Sequence, residues 1–265
     1  MKGPKLTRYR IKTENTGKKP DRPFTAILLS DLHNQLYGEG HSLLLQEIRA
    51  QDPELILIAG DMVTTGSECL MDNALSLMDA LTSRYPVYCV NGNHEQRLKT
   101  RRNRFGDLYE TYAGRVRSMG VHLLENACET VTVRKMNLNI WGLELPDACY
   151  ARGKKPVLTA DDVTELLGPC DKKGFHILLA HHPGLFPAYA GWGADLILAG
   201  HYHGGIVRIP GIGGVISPQL RLFPKYSKGM FQLGEKRMIV SAGAGNHDIT
   251  LRINNPAEIV AIDFL

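Results

Sequence analysis

The sequence predicts an α/β fold, a single domain of two β-sheets with helices outside them. Three observations carry this. Apolar runs of strand length alternate with stretches of helical period over residues 24–90. Residues 121–144 are β-rich with polar turns. Two more apolar runs, 175–180 and 194–199, lead into strands and glycine turns that continue to the end. No linker, internal repeat or low-complexity tract divides the 265 residues. That length suits one large domain and allows roughly three quarters of the unfolded surface to be buried.

Residues 24–30 (FTAILLS) and 54–59 (ELILIA) are buried strands, and Pro86 opens a third, VYCV. Between the first two, residues 41–50 place Leu44, Leu45 and Ile48 on one helical face, and Pro53 ends that helix. Between the second and third, residues 68–82 carry an apolar stripe of Leu70, Met71, Ala74, Leu77, Met78 and Leu81. The βαβαβ order predicts parallel strands with right-handed crossovers. Residues 105–119 form a further helix, VHLLEN, ETVTVRK and LNIWGLE a meander, and residues 160–167 a short helix. FHILLA and ADLILA are strands, and RMIVSA and AEIVAIDF are closing strands.

Composition is that of an ordinary soluble globular enzyme, with 43% hydrophobic and 22% charged residues. The five cysteines are odd in number and include no CxxC, which argues against a disulfide framework or a thiolate zinc site. No run of 18 apolar residues spans a bilayer, and no apolar signal region is visible in residues 1–23. The net charge of +4 is uneven: residues 1–22 hold eight Lys and Arg against two acids. Residues 1–23 are therefore set apart as a basic N-terminal segment ahead of a domain spanning 24–265. The plain reading of that segment is a solvated tail; the functional one is contact with anionic lipid at a membrane surface. A second run, residues 97–104 (RLKTRRNR), has five cations in eight positions. It is either a solvated face or a contact for an anionic substrate.

Five polar motifs follow the apolar runs. Asp31 and His33 follow the first, Asp61 the second, and Asn93, His94 and Glu95 the third. His181 and His182 follow FHILLA, and His201 and His203 follow ADLILA. In open α/β sheets ligands bind at the carboxyl ends of strands, so the five motifs share one rim. Asp, His and Asn without a thiolate suit Mn, Fe, Zn, Co or Ni better than copper or an iron–sulfur cluster. A carboxylate shared by two such cations makes the clamp for in-line phosphoryl displacement.

Asp31-x-His33, Gly60-Asp61, Gly92-Asn93-His94-Glu95, His181 and Gly200-His201-x-His203 together resemble the signature of the calcineurin-like metallophosphoesterases. The resemblance implies a four-layer αββα sandwich of two mixed sheets with a dinuclear metal site, manganese favoured. It implies that Asp31, His33 and His203 hold one metal, that Asn93, His181 and His201 hold the other, and that Asp61 bridges. His94 would assist the reaction from outside the ligand set, with a metal-bridging hydroxide as nucleophile. The sequence departs from the family's GDxxD pattern: it reads GDMVT, so Thr64 stands where the second Asp would orient the catalytic histidine.

GHYHGG, SAGAGN and RINNPAEI resemble a branch that includes membrane-associated bacterial phosphodiesterases and hydrolases similar to UDP-diacylglucosamine pyrophosphatases. Its members often carry an N-terminal membrane anchor, which implies a cytoplasmic place or one on the cytoplasmic membrane face. Arg208 and Arg221 are candidates for a second anionic group on the substrate, and Phe223, Tyr226, Phe231 and Trp192 for an apolar wall. The expected activity is hydrolysis of a phosphodiester or pyrophosphate. The alternatives are a phosphomonoesterase (including a protein phosphatase), a nuclease acting on nucleic acid, and a catalytically weakened metal-binding protein.

Overall fold

The computed structural model describes residues 3–13, 19–66, 68–151, 153, 156–171, 173–205, 207–209, 213–216, 222–246 and 252–265. The chain first lays down β1 (Lys5–Ile11), β2 (Phe24–Leu29), α1 (Ser42–Arg49), β3 (Leu55–Ile58), α2 (Asp72–Thr82) and β4 (Val87–Cys89). Then come α3 (Asn93–Thr100), a helical turn at Arg102–Phe105, α4 (Leu108–Ser118) and β5 (His122–Leu123). The second half supplies β6 (Ala127–Val133), β7 (Met136–Leu143), α5 (Ala160–Leu167), β8 (Phe175–Ala180), α6 (Phe186–Trp192) and β9 (Leu196–Ala199). After these follow β10 (Gly229–Leu233) and β11 (Lys236–Val240), and β12 (Glu258–Phe264) returns to the first half.

Two six-stranded mixed sheets result, in the orders β1-β12-β2-β3-β4-β5 and β10-β11-β9-β8-β7-β6. In the first, β2, β3, β4 and β5 run parallel and β12 lies antiparallel to β2. In the second, β7, β8, β9 and β11 run parallel, with β6 and β10 antiparallel at the edges.

Strand periodicity explains the layering, because successive side chains point to opposite faces. Ala26, Leu28, Leu55 and Leu57 face the other sheet and meet Leu138, Ile140, Ile177, Leu179, Leu196 and Leu198. Their neighbours Ile27, Leu29, Ile56 and Ile58 pack outward on Leu44, Ile48, Leu77, Met78 and Tyr112 of the first helical layer. On the far side Leu178, Ala180, Ile197 and Ala199 pack on Val163, Phe186, Tyr189 and Trp192. The fold is thus helix, sheet, sheet, helix, the four-layer sandwich expected. With both faces buried, the central strands read as continuous apolar runs rather than alternating ones.

Three local differences from the sequence reading stand out. Lys5–Ile11, read as part of a solvated tail, is instead an edge strand with seven residues in register along β12. Tyr9 and Ile11 reach the inter-sheet core, while Thr7 hydrogen-bonds the buried Glu258 and Arg8 pairs with Asp263. Its cations lie along an open sheet edge, where charge discourages pairing with another chain. The meander expected over 121–144 divides between the sheets: His122–Leu123 joins β4, and only β6 and β7 form a hairpin. The helix expected from residue 68 begins at Asp72, because Cys69–Leu70 pairs back on Thr64–Thr65.

All five cysteines are free thiols. Among the described residues no helix is long and apolar enough to cross a membrane.

Candidate metal centre

The polar motifs sit in loops just beyond β2, β3, β8 and β9 and in the first turn of α3 after β4. Asp31, His33, Asp61, His201 and His203 all adopt left-handed backbone, with φ of 50°, 47°, 53°, 70° and 49°. Such angles are uncommon for non-glycine residues and mark a chain turning sharply at the ends of β2, β3 and β9. The loops also pack very closely. A Cβ on Gly200 would lie 2.1 Å from Asp31 Oδ2, and one on Gly92 would lie 2.3 Å from Asp61 Oδ1, so both positions need glycine.

Backbone N–H groups of later motifs anchor the carboxylates of earlier ones. His201 N–H donates to Asp31 Oδ1 and Oδ2 at 2.9 and 3.1 Å. At the start of α3, His94 N–H donates to Asp61 Oδ1 at 2.8 Å. Glu95, buried beside them, accepts four backbone N–H bonds. They come from Asp61 (3.0 Å), Met62 (2.8 Å), Val63 (3.1 Å) and Gly92 (2.9 Å). One carboxylate therefore ties the loop after β3 to the loop after β4, a role that sequence alone did not assign.

Two compact clusters of ligand atoms result, each within 4.8 Å of one another: Asp31, His33 and His203, and Asp61, His181 and His201. Asp61 also gathers with His33 and His94, which places it between the two. His33 Nε2 and His203 Nε2 are 3.0 Å apart, and His203 Nε2 is 3.3 Å from Asp31 Oδ1. His181 Nδ1 donates to the Ala59 carbonyl at 2.6 Å, which turns Nε2 toward Asp61 Oδ2 at 3.1 Å. Its neighbour His182 uses Nδ1 to accept from Gly184 N–H at 3.0 Å, so His181 is the one that joins the cluster.

This donor set fits divalent cations. Asn93 Oδ1 is buried with no hydrogen-bond partner. Burial, with the Asp61 charge added, pushes Asp31 up to about 6. His181, against its own burial, is pushed up to about 9 by Asp61 and Asp31. Asp61, although burial pulls the other way, is held well below the usual carboxylate range by His181 and His94. Asp31 and Asp61 are thus buried close together, in a place where only paired or metal-bound charge is tolerated.

His94 lies beside both clusters, its ring 4.8 Å from that of His33. Its Nδ1 accepts from the backbone N–H of Thr65 at 2.9 Å and lies 2.9 Å from the Thr65 hydroxyl. A backbone N–H can only donate, so the ring proton sits on Nε2, the nitrogen turned away from Thr65. The group that orients His94 is therefore Thr65, placed by the short Thr64–Thr65 hairpin, and not Thr64 at the position of the family's Asp. Arg252 is a further residue the motifs did not reveal. Its Nη2 lies 3.1 Å from His203 Nδ1, and it donates to the carbonyls of Ala242 and Gly245.

The remaining sequence candidates sit elsewhere. Arg208 lines a separate cavity of about 420 Å³ with Phe223, Lys225 and Lys228, and its guanidinium lies 3.4 Å from Gly204 O and Ser227 Oγ. Arg221 lies outside the described residues. Trp192 packs edge-on against Trp141 in the outer core, while Phe223 and Tyr226 border an apolar cavity with Tyr202. Gly204 abuts Asn255, whose amide donates to the carbonyl of Gly205 at 2.7 Å.

The double-clustered Asp/His site on the carboxyl rim of an αββα sandwich has the make-up of a divalent-metal site. The comparison with known families agrees: the model of the calcineurin-like phosphoesterases matches residues 24–205, and the chain belongs to that family. An uncharacterized metallophosphoesterase of Campylobacter jejuni, Cj0846, is 26% identical over 243 residues, covering 89% of this chain and 58% of that protein. One from Helicobacter pylori is 27% identical over 251 residues, covering 93% and 61%. The chain thus spans about three fifths of these relatives' length. The Escherichia coli phosphodiesterase YaeI is 25% identical over 246 residues, covering 92% of this chain and 83% of that protein.

Proposed function

We propose that the protein hydrolyses phosphodiester or pyrophosphate bonds with two divalent cations, manganese favoured. The observation that carries this is the pair of ligand clusters meeting at Asp61, with His94 beside them. Asp31, His33 and His203 would hold one cation, Asn93, His181 and His201 the other, and Asp61 both. When bound, the cations supply charge stabilisation at the phosphoryl oxygens and acidify the attacking water.

The chain's own residues do the rest. Thr65 fixes the His94 tautomer, so Nε2–H is available to donate to a phosphoryl oxygen or to the leaving oxygen. Glu95 keeps the loops bearing Asp61 and Asn93 in register. Ala59 O holds the His181 ring so that it presents Nε2. Similarity to a named phosphodiesterase supports the diester over the monoester.

The test compares hydrolysis of bis(p-nitrophenyl) phosphate and p-nitrophenyl phosphate by manganese-loaded protein, with a chelated control and His94→Ala. The expected result is chelator-sensitive turnover that prefers the bis-ester and falls about 10²- to 10⁴-fold in the variant. Two tightly bound metals with no turnover of either ester would overturn the reading.

A further inference from the structure

The basic run at residues 97–104 divides by helix face. Lys99 Nζ reaches Glu125 and Glu144 at 2.8 and 2.7 Å, and Arg102 pairs with Glu110. Those two cations are neutralised by acids of the chain itself. Arg97, Arg101 and Arg104 have no ion pair among the described residues, and all three line one cavity of about 610 Å³ together with Asn93 and Thr65. Asn93, Arg97 and Arg101 are spaced by four residues, which puts them on one side of α3 and its end.

The cavity opens onto the catalytic machinery. Asn93 belongs to the proposed ligand set, and Thr65 orients His94. Arg97 Nη1 lies 3.4 Å from His94 Nε2. Arg104 donates to Gly66 O, and its guanidinium carbon lies 5.0 Å from the centroid of the Phe105 ring. Asp147 is the acid in the lining, and its Oδ2 accepts from Thr100 Oγ1 at 3.1 Å. Three cations against one acid, Arg97 half-buried and Arg101 and Arg104 exposed, line one concavity beside a histidine that would face the leaving oxygen. Guanidinium groups present forked donors that match phosphate oxygens.

We infer that this cavity receives a second phosphate-type group, carried on the part of the substrate that departs past His94. The preferred substrates are then pyrophosphate-linked, or diesters of a phosphorylated alcohol. The inference rests on the phosphoesterase reading and narrows its substrate class.

The experiment measures kcat/KM for four substrates: bis(p-nitrophenyl) phosphate, diadenosine 5′,5′-pyrophosphate, the dinucleoside phosphate ApA, and its 3′-phosphorylated form ApAp. Wild-type protein is expected to favour the substrates that carry the extra anion. Arg101→Gln/Arg104→Gln should cut kcat/KM for those substrates by about 100-fold, about 10-fold for each charge-assisted hydrogen bond. The same variant should narrow the preference over bis(p-nitrophenyl) phosphate, while Arg102→Gln leaves every rate as it was. A preference confined to the pyrophosphate identifies that linkage, and preference for ApAp over ApA identifies the phosphorylated alcohol.

No wild-type preference, or an equal loss on all four substrates, would overturn the inference. Efficiency climbing steadily with oligonucleotide length would overturn it in favour of a nucleic-acid groove. Calorimetry with methylenebisphosphonate on chelator-treated protein separates the subsite from catalysis. Binding weakened about 100-fold in the double variant supports the subsite even if no ester is turned over, in which case the phosphoesterase reading alone fails. Equal binding by wild type and variant removes the subsite whatever the turnover.

Discussion

Thr65→Val and Thr64→Ala separate two accounts of how His94 is oriented without the family's aspartate. Valine keeps the shape of threonine and deletes the hydroxyl, which lies 2.9 Å from His94 Nδ1. The backbone N–H of residue 65 remains as donor to the same nitrogen at 2.9 Å. What is lost is one neutral hydrogen bond to a group that stays partly satisfied, about 0.5–1.5 kcal/mol. If that loss appears in the transition state, kcat falls about 2- to 13-fold. Thr64 is half-buried in the hairpin, opposite Leu70, and its hydroxyl makes no hydrogen bond among the described residues. Thr64→Ala should therefore change kcat less than about 2-fold. The assay is steady-state hydrolysis of bis(p-nitrophenyl) phosphate at saturating manganese, with circular dichroism to confirm folding. A loss in Thr64→Ala equal to that in Thr65→Val, or more than 100-fold in Thr65→Val, would refute the assignment of the backbone N–H as the main anchor.

Two further perturbations test the framework around the ligands. Glu95→Gln sets an amide NH₂ against two of the four N–H donors now accepted by the carboxylate, leaving them buried and unpaired. Metal-loaded protein should lose about 3 kcal/mol, read by chemical denaturation, and unchanged stability would contradict the network. Gly200→Ala puts a methyl group 2.1 Å from Asp31 Oδ2, so the carboxylate must move by more than about 1 Å. Bound metal, measured by elemental analysis, should fall from two ions toward one per chain. Retention of both would show that the loop yields instead.

The fold was legible where side-chain burial leaves a period. β2, β3, β8 and β9 are continuous apolar runs because both their faces are covered, and α1 and α5 lie within a residue or so of the spans their patterns predict. α3 left no such trace. Of Asn93–Thr100 only Leu98 is apolar, so no apolar stripe marks the stretch as a helix. It is helical because its inward groups bind rather than pack: Glu95 holds two loops and Lys99 bridges Glu125 and Glu144. β1 was misread for a related reason, since an edge strand with one solvated face carries cations that look like those of a tail.

The site divides along the same physical line. The motifs holding Asp31, His33, Asp61, Asn93, His181, His201 and His203 could be placed on one rim because each follows an apolar run, and the resemblance to the family signature singled these residues out. Thr65, Arg252 and the role of Glu95 could not, because each acts through backbone atoms or a neighbour's ring set by tertiary contacts. The left-handed backbone at five site residues belongs with this second group. Each such residue costs roughly 1–2 kcal/mol for an L-amino acid, and the enrichment of Asp and His in that region is too weak to announce it in the sequence. It persists because the same loops are cross-tied: Asp31 by His201 N–H, Asp61 by His94 N–H, and both flanking loops by Glu95. A chain that bends this sharply at three strand ends has the side chains that would ligate directed before any cation arrives. Glu95 and the tight glycines are thus as much a part of the site as the residues that would touch the cations.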